Sequence, residues 1–249
     1  MKPLLFYDIE VFKEDSLVVF KDENKKVVQI FHNDFEGVLE LVKSHKLVGY
    51  NNYFYDDKIL TGMINGYTPY QIKQLNDKLI SQQKVNNVHH AIDSLDCFQQ
   101  IDVSRPGLKK IEGNMGRMIL ESSIDFTIDR KLTDEELQEV IEYCCYDVDT
   151  TIDVYKIREY NYFNVKERLV RMLPEKFHGK AMKWNTTTIS ANILLEKPLP
   201  KWSDIRLGEY DSNGDYEMLK LVPQEVVDMW MDKSRKKKEN SNSGVRLFN

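Results

Sequence analysis

Three segments of the sequence combine carboxylates with groups able to handle metals or protons. Asp8-Ile9-Glu10 closes an apolar stretch that begins Leu4-Leu5-Phe6-Tyr7. Side chains alternate along a strand, so Asp8 and Glu10 share a face with Leu4 and Phe6 and bring two like charges to the edge of a core. Mutual repulsion raises both pKa values unless a cation neutralises them. A hard divalent metal with oxygen ligands does this most cheaply. An acidic pair at a strand end is usually just solvated, so the weight lies in what accompanies it.

The second segment is Gly49-Tyr50-Asn51-Asn52-Tyr53-Phe54-Tyr55-Asp56-Asp57, where a strand ends, two amides and several aromatics follow, and an acid stands at a helix start. Asp56 or Asp57 there would also favour the N-terminal end of the helix dipole. The third is Tyr143-Cys144-Cys145-Tyr146-Asp147. Tyr143 and Asp147 lie four apart, so a phenol and a carboxylate project from one helical face. Cys144, Cys145, Val148 and Ile152 surround Asp147 with apolar groups, and a bare carboxylate in such a setting requires a partner.

The elements that position these groups follow from periodicity. Residues 4–9, 16–20 and 27–31 read as three strands of an antiparallel meander, with a polar turn at Asp22 to Lys25. A helical pattern opens at Asp34 and ends near His45, the strand Lys46 to Tyr50 follows, and a second helix runs through Ile59, Leu60, Met63 and Ile64. Strand, helix, strand at this spacing implies a parallel crossover, hence a mixed sheet and an α/β class. Residues 69–84 read as helix, 86–97 as a strand, and 104–127, with Gly107, Gly113 and Gly116, as turns. Thr133-Asp134-Glu135-Glu136 is a capping box that starts a helix running toward Tyr160. Pro174, Pro198 and Pro200 punctuate the remainder, and Lys233 to Lys238 is a basic run before an Asn/Ser-rich end.

Composition excludes several classes. The 249 residues are 41% hydrophobic, enough for a real core, and no apolar run approaches the ~18 residues of a membrane helix. Asp8 and Glu10 come too early for a signal-peptide apolar region, and three cysteines without a CxxC offer no disulfide framework or zinc site. The expectation is a soluble protein of a reducing cytoplasm without a membrane partner. Charge is divided: residues 1–151 carry net −9 and residues 152–249 net +4. Residues 156–183 hold eight basic and three acidic side chains among Tyr160, Tyr162, Phe163 and Phe177, a pattern that suits a nucleic-acid strand slightly better than an ordinary solvated helix face with its aromatics in the core.

Taken in order, D-x-E on the first strand, N-x(2–3)-(F/Y)-D after a later strand and Y-x3-D in a late helix resemble the three motifs of the proofreading 3′→5′ exonuclease domain of DNA polymerases, within the ribonuclease H-like superfamily. The stretch Leu132 to Leu137 and then Tyr143 to Val148 is especially similar to phage-type polymerases. The resemblance covers about residues 4–160 and implies an exonuclease domain at 1–160, with a mixed five-stranded sheet flanked by helices. Residues 161–249 would be a mainly helical accessory segment with a basic tail. It also implies that Asp8, Glu10, Asp56 and Asp147 are the acidic ligands of two divalent ions, Mg2+ or Mn2+, and that Tyr143 marks the tyrosine subtype. Asn51 and Asn52 both fit the amide that touches substrate, with Tyr55 in place of the commoner Phe. Val11 stands where many members have Thr, and Lys58 and Lys109 are candidate phosphate contacts.

Two ions roughly 3.5–4 Å apart stabilise charge on both the attacking and leaving oxygens of a phosphodiester. By the resemblance, Asp8 bridges them, Glu10 and Asp147 complete the site of the nucleophilic water, and Asp56 supports the other ion. Tyr143, with a reference pKa of about 10, suits orientation of that water better than proton abstraction. The substrate implied is a single-stranded or frayed DNA 3′ end, with a polymerase subunit or domain as the partner. A non-catalytic nuclease-fold subunit bound to a polymerase or primer end, and a 3′ exoribonuclease, fit the same motifs. His89-His90 reads as a polar loop, Asp211 to Asp215 as a turn, and Cys144-Cys145 as core thiols. No segment supplies a polymerase palm.

Overall fold

The computed structural model describes residues 2–81, 85, 92–99 and 106–195. The predictions for His89-His90, the proline pair at 198 and 200, the Asp211 to Asp215 turn and the Lys233 to Lys238 run lie outside these residues. One compact unit spans Met1–Leu194, and the second, Leu195–Asn249, lies beyond Leu194.

Among the described residues, five strands build one sheet: β1 (Leu4–Val11), β2 (Ser16–Lys21), β3 (Val27–His32), β4 (Lys46–Gly49) and β5 (Ser94–Asp96), in the order β3-β2-β1-β4-β5. β1, β2 and β3 run antiparallel, while β1, β4 and β5 are parallel. This is the mixed α/β sheet that the strand pattern predicts, and it is consistent with the ribonuclease H-like arrangement that the resemblance implies. Alternation along β1 divides its side chains: Phe6 and Phe12 enter the core on one face, and Leu5, Tyr7, Ile9 and Val11 enter the core on the other. Asp8 and Glu10 therefore share the face of Phe6 and Phe12.

The helices are α1 (Val38–Ser44), α2 (Asp56–Ile64), α3 (Pro69–Ile80), α4 (Leu108–Asn114), α5 (Asp134–Arg158), α6 (Asn164–Arg171), α7 (His178–Ala181) and α8 (Thr186–Leu195). α1, α2 and α3 supply the core facing Leu5 and Tyr7, and α5 supplies the core facing Phe6. α5 starts at the predicted box: the Glu136 amide donates to Thr133 Oγ1 at 3.2 Å, and the Thr133 amide donates back to Glu136 Oε2 at 2.8 Å. Such a cap contributes about 1 kcal/mol. Its inward stripe is Val140, Cys144, Val148 and Ile152, each 1% exposed or less. Tyr143 and Asp147 precede two members of that stripe by one residue, which sets them on its flank.

Long-range clamps fix the rotation of α5 against the sheet. Buried Lys21 of β2 donates to Cys145 O at 3.0 Å and to Asp149 Oδ1 at 2.8 Å. Buried Asp15 accepts the Leu132 amide at 2.8 Å and faces His32 Nε2 at 2.7 Å. After Arg158 the chain passes through a π-helical turn, Glu159–Phe163, into the helical extension, where Val170, Leu173, Ala181 and Ile189 form a small core of their own. Among the described residues no helix is long and apolar enough to cross a membrane.

Three local readings change. The glycine-rich stretch around 104–127 contains α4, whose Gly113 and single inward apolar residue, Ile111, give little helical signal; packing of Ile111 and Glu112 forms it instead. The helix predicted over 69–84 ends at Ile80, and of the strand predicted over 86–97, residues 86–91 lie outside the described residues and Ser94–Asp96 is strand.

Candidate metal centre

β1 pairs with β4 only through Leu4, Leu5 and Phe6, opposite Lys46, Leu47 and Val48. β4 ends at Gly49, so Asp8 and Glu10 lie beyond it, where the chain turns away into residues 50–55. That turn needs two special backbone positions. Asn51 adopts φ 63, a left-handed conformation that asparagine tolerates, and donates its amide to Asp96 Oδ1 at 2.8 Å. A Cβ on Gly49 would meet Asn52 Cβ at 2.7 Å, so glycine there admits the Asn52 side chain.

The four acids of the three motifs come from β1, the first turn of α2 and the middle of α5. Their charges act on one another: Asp147 on Asp8; Asp8, Asp147 and Asp56 on Glu10; and Asp8 on Asp56. Burial first and Asp147 second push Asp8 up to about 7. Burial and these neighbouring carboxylates hold Glu10 and Asp56 well above their ordinary values, and burial raises Asp147. Glu10 is 8% exposed, and no hydrogen bond or ion pair to its carboxylate is found among the described residues. Ligand atoms of Asp8, Glu10 and Cys144 lie within 4.8 Å of one another, and the Cys144 thiol points at Asp8 Oδ2 from 3.9 Å. Among the described residues, the group whose ligand atoms meet this closely holds Asp8, Glu10 and Cys144 and leaves out Asp56 and Asp147, which act on it through their charge. Two close carboxylates, one without a partner among the described residues, fit a hard divalent ion.

Lys109 of α4 supplies the positive charge here. Its ammonium pairs with Asp147 Oδ1, lies 3.6 Å from Glu112 Oε1 and stands 4.4 Å from the centroid of the Tyr143 ring. It lowers the pKa of Asp8, Glu10 and Asp147. Burial, followed by the Asp147 charge, pushes the Tyr143 phenol upward. Glu112 is fully buried, accepts Thr150 Oγ1 at 3.0 Å through Oε1 and leaves Oε2 without a partner.

The remaining predicted residues are distributed as follows. Asn52 is fully buried; its amide donates to Asp57 Oδ1 at 3.1 Å and its Oδ1 has no partner. Asn51 is half-buried at the turn. The Tyr55 hydroxyl donates to Asn76 Oδ1 on α3. Val11 is buried in the core of the opposite sheet face, and Lys58 is half-buried in the first turn of α2. In the basic and aromatic stretch, Arg158 donates to Cys97 O and Gln99 O at 2.8 and 2.7 Å, and buried Lys166 donates to Gln99 Oε1 at 2.7 Å. Burial lowers Lys166 to about 8. These two cations serve the fold, and exposed Tyr160 is the ring of that stretch that faces solvent.

Residues missed by sequence reasoning include Asp96, Glu112 and Lys183. Asp96 is fully buried, pushed up to about 6 chiefly by burial, and holds the turn through the amides of Asn51 and Phe98. The Lys109/Glu112 spacing of three along a helix was an available signal. Lys183, 3.1 Å from Asp57 Oδ2 across 126 residues of sequence, had none.

The sheet order and the acidic centre define an α/β protein of ribonuclease H-like arrangement with a candidate divalent-metal site. Comparison with protein-family models, curated proteins and solved structures returned no match.

Proposed function

We propose that this protein is a metal-dependent 3′→5′ exonuclease acting on single-stranded or frayed DNA ends, as the proofreading subunit or part of a phage-type DNA polymerase. The reading rests on the close approach of Asp8 and Glu10, on the charges of Asp56 and Asp147 that act on them, and on Glu10 being buried with no partner among the described residues. A scaffold has no use for four mutually repelling carboxylates, whereas two divalent ions stabilise them and, when bound, offset the charge that develops on the attacking and leaving oxygens of a phosphodiester.

The chain's own residues do the rest. Asp8, Glu10, Asp56 and Asp147 hold Mg2+ or Mn2+ and must be ionised to do so, which makes binding proton-linked. Tyr143 is protonated at neutral pH at its ordinary pKa and the more so for being raised, so its hydroxyl suits orienting water rather than accepting a proton. Lys109 neutralises Asp147 before substrate arrives and faces the phosphate that reaches the centre. Three free cysteines, two of them buried, suit a cytoplasmic setting.

The test is incubation with 5′-labelled single strands of DNA and RNA, with and without Mg2+. Metal-dependent ladders shortening from the 3′ end on DNA are expected. Inertness on both would favour a binding subunit, and ladders on RNA alone an exoribonuclease.

A further inference from the structure

The acid that follows Asp56 is bound as no other side chain of the turn is. Asp57 is 7% exposed and accepts four donors, two on each oxygen. Oδ1 takes the Tyr7 hydroxyl at 2.7 Å and the Asn52 amide at 3.1 Å. Oδ2 takes the Ser94 hydroxyl at 2.7 Å and the Lys183 ammonium at 3.1 Å. The donors come from β1, the turn after β4, β5 and the segment after α7. Lys183 also stands 4.7 Å from the Tyr53 ring centroid, and the Tyr53 hydroxyl donates to Ser94 O at 2.9 Å.

The placement of this network gives it a function. Tyr7 is the residue before Asp8, and Asp57 is the residue after Asp56. The buried 2.7 Å bond between them ties β1 to the first turn of α2 one residue away from a candidate metal ligand on each side. Asp57 has no acceptor capacity to spare for an ion, since both oxygens are already doubly bonded. It fixes where Asp56 stands relative to Asp8, which is how supporting carboxylates set the affinity of metal sites.

We propose that Asp57 is the positioning residue of this centre, setting Asp56 against Asp8 through Tyr7, and that Lys183 completes it by docking the segment after α7 onto the same carboxylate. This rests on the metal-centre reading above. Loss of the network is therefore expected to act on metal affinity and turnover.

The test measures Mn2+ binding, by the electron paramagnetic resonance signal of free Mn2+, alongside kcat and KM on a 5′-labelled DNA strand. The proteins are wild type, Asp57→Asn, Tyr7→Phe, Lys183→Met and Lys183→Arg, all held well below their melting temperatures and checked for native circular dichroism. Asp57→Asn and Tyr7→Phe are expected to weaken Mn2+ binding and lower kcat by roughly 10–100-fold, with KM nearly unchanged. Lys183→Met should move both quantities the same way by less, and Lys183→Arg should restore them. Folded Asp57→Asn and Tyr7→Phe with wild-type Mn2+ affinity and kcat would overturn the proposal, as would a rise in KM alone. A wild type that binds Mn2+ but degrades no DNA overturns the exonuclease reading, and the Mn2+ measurements still decide the role of Asp57. A wild type that binds no Mn2+ overturns both.

Discussion

The ammonium of Lys109 on α4 forms an ion pair with Asp147 on α5, across 38 residues of sequence. It is the cation that lowers the pKa of Asp8, Glu10 and Asp147 together. Removing it raises all three, so metal binding then requires a higher pH. In Lys109→Met the acidic limb of the pH–rate profile should move to higher pH by about one unit, and activity at pH 7 should fall roughly tenfold. An unchanged acidic limb would show that Lys109 has no electrostatic part in the centre.

Asp8 tests the electrostatics from the other side. Its folded-state value of about 7 exceeds the ordinary 3.8, so folding favours the protonated acid. The metal-free protein therefore loses stability as pH rises from about 4 to about 7. Asp8→Asn keeps the shape without the charge. Metal-free Asp8→Asn should melt above wild type at pH 8, by roughly 2–4 °C for each kcal/mol relieved. Added Mg2+ should raise the melting temperature of wild type alone, and the variant should not degrade DNA. Retained nuclease activity, or a lower melting temperature at pH 8, contradicts the assignment.

Gly49→Ala places a methyl group 2.7 Å from Asn52 Cβ, a contact that real side chains do not make. Because the backbone fixes Asn52 Cβ, the turn itself must shift, which strains the bond from Asn52 to Asp57. Overpacking of this kind costs about 1–3 kcal/mol. The melting temperature should fall accordingly, and the rise produced by Mg2+ should shrink. Thermal melts with and without Mg2+ read both, and a stable Gly49→Ala with a full Mg2+ response would refute the close packing.

Thr133→Ala gives the contrasting outcome. It deletes the Thr133 Oγ1 acceptor at the start of α5, ten residues before Tyr143. The expected cost is about 1 kcal/mol of stability with kcat unchanged, because Val140, Cys144 and Val148 still hold the middle of the helix. A large drop in kcat at a temperature where the variant is folded would mean that α5 is positioned from its end.

The sequence by itself determined whatever depends on neighbours in the chain. Alternation along Leu4 to Val11 puts Asp8 and Glu10 on one face, and the box at Thr133 and Glu136 sets the start of α5. Helical spacing then brings Tyr143 and Asp147 to one flank. These are local periodicities, and the structure keeps them. The tertiary structure alone decided which faces meet and what each buried charge is given as a partner. Lys109 reaches Asp147 because α4 packs on α5, although the residues that form α4 read as turns. Tyr7 and Lys183 reach Asp57 across 50 and 126 residues, where no spacing rule applies. A buried carboxylate requires partners wherever the fold can supply them, and that requirement is met by packing rather than by order along the chain.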